Sequence, residues 1–157
     1  MSFAQPPFVE DEVFAFDELR KVMENHARQS AIAAGVGEVI QIEGYPFIQP
    51  KDALWVNFTY SIGDTFAAAA GQGDRDDGQH RSVGMVEINI LYPENSGNGP
   101  ATRVADRLRK HWTLKKWPVP SVGHVTIGGM GQKPLKLAPK GWRRILCEAS
   151  LDFFHRG

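Results

Sequence analysis

A chain of 157 residues, 42% hydrophobic and 23% charged, fits one globular domain. At this length roughly 70% of the unfolded surface can be buried, so neither disulfides nor a structural metal is needed to hold a core. The 18 basic and 18 acidic side chains cancel, which lacks the basic excess of a nucleic-acid-binding protein and removes self-repulsion that would oppose assembly.

The single cysteine, Cys147, excludes an intrachain disulfide and a CxxC metal pattern, and fits a reducing, intracellular origin. No apolar run approaches the ~18 residues of a membrane span. The opening MSFAQPPFVEDE has neither a basic nor an apolar signal region.

Residues 1–14 read as a flexible arm, with Pro6-Pro7 and the acids Glu10, Asp11 and Glu12. The other reading anchors Phe3, Phe8 and Phe14 on a neighbouring surface. Residues 15–157 then form one α+β domain. Ala15–Ala34 carries Leu19, Met23, His26, Ala27, Ser30, Ala31 and Ala34 at spacings of three and four, the stripe of an amphipathic helix. Asp17 and Glu18 complement the dipole at its start, and Gly35 and Gly37 supply its stop. His26 on this stripe reads as a satisfied core or boundary histidine rather than a ligand.

Residues 38–51 form a short extended piece, broken by Gly44, Pro46 and Pro50, which suits a sheet edge. Residues 54–66 alternate apolar Leu54, Val56, Phe58, Tyr60 and Ile62 with a mostly polar set. Ser82–Tyr92 alternates as cleanly, with Val86, Ile88, Ile90 and Tyr92 on one face. The two strands are expected to pair antiparallel. Their connection is too long for a tight turn, and loops of this length are usually functional or disordered. It holds Gln72, Asp74, Arg75, Asp76, Asp77, His80 and Arg81. A calcium loop counted from Asp74 would need Gly where Gln79 stands and Glu where Met85 stands, so metal binding is set aside. A solvated loop, or one that orders against a partner, remains.

Pro93 ends the second strand and Pro100 suits the first turn of a helix over 100–112, with Ala101, Val104, Ala105, Leu108 and Trp112 inward. Residues 114–120 read as an irregular connector, 122–127 as a short strand, 128–141 as a Gly/Pro loop, and 142–154 as the last strand. On that strand Cys147 faces inward as a small hydrophobe. GGMGQK is no phosphate loop, because no Gly-Lys-Ser/Thr or helix pattern follows. The expected fold is therefore α+β, a mainly antiparallel four-stranded sheet with two helices packed on one face. The second sheet face mixes Trp55, Met85, Leu91 and Leu146 with Glu87 and Glu148, a composition suited to subunit contacts.

No catalytic signature is present: the five histidines are scattered, and GxSxG, Walker and dinucleotide motifs are absent. The reading is of a protein that is not an enzyme and uses no cofactor or metal.

Tyr45-Pro46-Phe47 and Pro50 precede the Trp55-Val56 strand, and a Gly-rich polar loop follows it. The next strand ends in Tyr92-Pro93, with Gly97 and Gly99 before the Ala101, Ala105, Leu108 helix, and a last strand starts at Trp142. In this order, over roughly residues 15–154, the chain resembles the tail terminator proteins of long-tailed, lambda-like bacteriophages. The arm and the DRDDGQH segment lie outside the match. The resemblance implies a structural protein of the virion, assembled in the host cytoplasm and placed at the head-proximal end of the tail. It implies a homohexameric ring that caps the tail tube, stops polymerisation and offers a surface to the head–tail connector protein, with no membrane partner. The alternatives are another head–tail completion or neck protein and, from a different class, a small dimeric α+β enzyme or ligand-binding protein.

Overall fold

The computed structural model describes residues 12–67 and 79–156, with only the backbone of residues 66 and 67. Its elements are α1 (Ala15–Ala33), β1 (Ile40–Ile42), β2 (Trp55–Ala67), β3 (Gln79–Pro93), α2 (Gly99–Trp112), β4 (Lys116–Val119), β5 (Gly123–Ile127), β6 (Gly131–Leu135) and β7 (Trp142–Arg156).

The expectation of a four-stranded, mainly antiparallel sheet is overturned. Seven strands form one mixed sheet in the order β1-β2-β3-β7-β5-β4, curled into a half-barrel, with β6 also paired to β7. The extra strands are those whose sequences hide a period of two. β1 has three residues and pairs parallel with β2, Ile40 against Val56 and Ile42 against Phe58. β4 contains Pro118 and β6 contains Pro134, and proline is tolerated only where a strand edge needs no donor. β5 and β6 divide one side of β7 between them, along Leu151–His155 and Arg144–Glu148.

β3 and β7 pair antiparallel over their whole lengths, from Gln79 opposite Arg156 to Pro93 opposite Trp142. Their alternation delivers Val86, Ile88, Ile90, Cys147, Ala149, Leu151 and Phe153 to one buried cluster. The α1 stripe of Leu19, Met23, Ala27 and Ala31 and the α2 stripe of Ala101, Val104, Ala105 and Leu108 join the same cluster. Trp112 locks the layers together. It has no exposed surface, stacks on Phe58 of β2 at 5.6 Å, and donates its indole N–H to Ser30 Oγ on α1 at 3.0 Å. A buried indole N–H is costly without such an acceptor.

His26 sits at the boundary as its sequence position suggests. Its Nε2 lies 2.9 Å from the His111 carbonyl oxygen, and its ring rests on Trp117 of β4 at 3.8 Å. Gly35, at φ +87°, ends α1 in the left-handed region open to glycine, while the Val36 N–H reaches back to the Ala31 carbonyl at 2.9 Å. Glycine is also required at Gly84. A Cβ there would run into the Ser61 carbonyl oxygen, where β2 and β3 approach beside the register shift between Ile62 and Thr65.

Candidate functional site

The segment singled out as a contact loop falls in two parts. Gln72, Asp74, Arg75, Asp76 and Asp77 lie outside the described residues. His80 and Arg81 belong to β3 itself, because the ladder to β7 reaches back to Gln79. They form the base on which the connection stands. Arg81 Nε donates to Asp152 Oδ1 at 2.7 Å and Nη2 approaches the same oxygen at 2.6 Å, tying β3 to β7. The guanidinium also lies 5.9 Å from the Phe154 ring centroid.

Beneath this ion pair runs a chain of side chains that separate parts of the sequence bring together. Thr65 Oγ1 lies 2.7 Å from Ser82 Oγ, and Ser82 Oγ lies 2.8 Å from His155 Nε2. Ser82 is 0% and His155 2% exposed. The imidazole is packed by Phe153 at 4.5 Å and Phe16 at 5.1 Å, with His80 at 5.7 Å. Burial, and secondarily the neighbouring His80, hold His155 below the ordinary histidine range and keep the ring neutral. Its Nδ1 has no hydrogen-bond partner among the described residues. The nearby carboxylate of Asp152 is engaged by Arg81. A serine beside a histidine invites a nucleophilic reading, but here the hydroxyl is closed to solvent and, among the described residues, no carboxylate accepts from the imidazole. The arrangement ties β2, β3 and β7 together where the connection leaves them. Sequence reasoning missed it, since Thr65, Ser82 and His155 meet only through register.

The outer sheet face is divided. Trp55, Leu91 and Leu146, read as subunit-contact residues, are buried within the subunit at 5–8% exposure. The Trp55 ring is flanked by Phe47 at 5.3 Å and Trp142 at 6.2 Å, so residues before β2 and at the start of β7 cover it. Met85, Glu87 and Glu148 remain half-exposed. Glu87 stands directly opposite Glu148, which Lys133 of β6 neutralises at 3.2 Å. The open part of this face is therefore polar, with Met85 between Ser61 and Ser150.

Cys147 is buried, and its thiol is pushed up to about 12 chiefly by that burial, which keeps it protonated. Among the described residues no group of three or more His, Cys, Asp or Glu side chains is placed to hold a metal ion. None of the described helices is long and apolar enough to cross a membrane.

No protein-family model matches the chain, and no curated protein matches it. A solved structure superposes with a TM-score of 0.65 at 15% identity, covering 89% of this chain and 96% of its own. At that identity the likeness concerns the fold alone.

Proposed function

We propose that this chain is a structural protein of phage morphogenesis that caps the finished tail tube. In this reading it forms a homohexameric ring at the head-proximal end of the tail, stops tube polymerisation and offers its other side to the head–tail connector protein. It performs no catalysis. The β2–β3 hairpin carries the proposal. Strands of 13 and 15 residues, fixed at their base by Arg81–Asp152 and by the Thr65–Ser82–His155 chain, support a connection rich in charge. A linker needs no such mount, whereas a probe that must meet a partner in a set register does. The order of the Tyr45-Pro46-Phe47, Trp55-Val56 and Tyr92-Pro93 segments gives the family-level support.

Negative-stain electron microscopy of tail-tube protein polymerised with and without this protein tests the reading. Tubes of limited length bearing a ring at one end are expected. Tubes that grow unchecked and uncapped with the protein in excess would overturn it.

A further inference from the structure

The zero net charge hides a segregation. Fifteen of the 18 Asp and Glu lie in residues 1–99, and eleven of the 18 Lys and Arg lie in residues 100–147, where Asp106 is the one acid. Among the described residues, the strand order places β1 and β2 at one end of the sheet and β4, β5 and β6 towards the other. At the first end Glu38, Glu43, Asp52 and Asp64 are exposed and form no ion pair among the described residues. At the other, Lys136 and Lys140 of the β6–β7 turn are exposed and equally unpaired.

Shape runs parallel to charge. Between α1 and residues 37–50 lies a cleft of about 690 Å³, lined by Ile32, Ile40, Tyr45, Phe47 and Ile48 with Glu38 among them. Ile48 is 92% and Ile32 63% exposed. Arg28, the cation in the cleft, lies 4.8 Å from the Tyr45 ring centroid and is occupied there. The β6–β7 turn offers the complement: Leu137, 81% exposed, between Lys136 and Lys140.

We propose that the β6–β7 turn of one copy seats in the α1–β1 cleft of the next. Leu137 enters the apolar floor while Lys136 and Lys140 meet Glu38 and Glu43. The two surfaces are different patches of one molecule, so the contact is head-to-tail and repeats from copy to copy. A nucleic acid would use the basic end alone and leave the acidic end and its cleft without a role. A second copy uses both. The inference deepens the ring reading: closure into a ring rests on that reading, while the contact itself rests on charge and shape.

The test is sedimentation velocity and light scattering on the whole chain at low and high salt. The wild type should assemble at low salt and dissociate at high salt. Glu38→Lys/Glu43→Lys and Lys136→Glu/Lys140→Glu should each remain monomeric. Mixed one to one they should regain the wild-type mass, since one variant carries two basic ends and the other two acidic ends. Leu137→Asp should weaken association at least tenfold with an unchanged circular dichroism spectrum. A wild type that stays monomeric at low salt overturns the proposal. So do charge variants that assemble normally, a mixture that stays monomeric, or a basic end whose reversal abolishes binding of labelled duplex DNA but not assembly. Tube capping is scored separately by microscopy, so the tail reading can survive a failure of this interface.

Discussion

Ser82 Oγ lies 2.8 Å from His155 Nε2 in a site closed to solvent, and both side chains sit at the root of the β2–β3 connection. The imidazole is neutral there because burial disfavours its charged form. His26 and His124 are lowered by the same cause. A group whose folded pKa lies below its unfolded value favours the folded state above the unfolded pKa and loses that contribution as pH falls. Stability should therefore hold above about pH 6.5, the ordinary histidine value, and decline as pH drops below it towards the lowered folded values. Thermal melts from pH 8 to pH 5 should show this. His155→Gln, which cannot charge, should melt lower at pH 8 yet depend less on pH. An unchanged slope in that variant would remove His155 from the account.

Ile88 is 1% exposed at the centre of β3, whereas Glu87 beside it faces outward opposite Glu148. Ile88→Asp should abolish folding, because an unpaired buried charge costs several kcal/mol, of the order of the protein's whole stability. Glu87→Ala should fold normally, with stability within about 0.5 kcal/mol of the wild type, because Glu87 is half-exposed and the Glu148 opposite it is already paired with Lys133. Circular dichroism and urea melts distinguish them. Equal folding of both variants would place β3 in the wrong register.

Gly84→Ala should destabilise the protein by about 1–3 kcal/mol, in the manner of an overpacked core, because the added methyl meets the Ser61 carbonyl and backbone must shift. Gly37→Ala supplies a contrast. Its Cβ meets nothing within 4 Å, so only the φ of +68° is strained, at about 1–2 kcal/mol. Urea denaturation of the pair should find Gly84→Ala the more damaging, with a changed β2–β3 amide pattern by NMR.

Replacing residues 70–78 with a Gly-Asn turn should leave the melting temperature nearly unchanged, since the Arg81–Asp152 and Ser82–His155 contacts lie outside the exchange. On the proposed tail-capping reading, the variant should fail to cap tubes and give tails of uncontrolled length. Normal infectious particles made with it would return the segment to the role of a linker. Loss of the folded state would show instead that the segment packs on its own subunit.

The long elements were legible because each carries enough residues to display its period. α1 and α2 show stripes at three and four, and β2, β3 and β7 alternate over a dozen residues or more. β1 is too short to alternate. Trp117-Pro118 and Lys133-Pro134 read as breakers, although an edge strand accommodates proline. The second sheet face was misleading in part for a similar reason. A strand's pattern places Trp55, Leu91 and Leu146 together but does not reveal that Phe47 and Trp142 close over Trp55. Of the proposed contact residues, Arg81 was legible as a charge but not as the partner of Asp152, 71 positions away.

The strand with most neighbours, β7, follows all of its partners in the chain. During synthesis β3, β5 and β6 leave the ribosome before the segment that completes their ladders. Each carries an open hydrogen-bonding edge until β7 emerges. Long-range pairing of this kind forms late and slowly, and leaves nascent edges exposed to mispairing. Slowed translation through residues 142–156 should therefore lower the soluble yield more than slowed translation through α1, whose contacts within the helix are local.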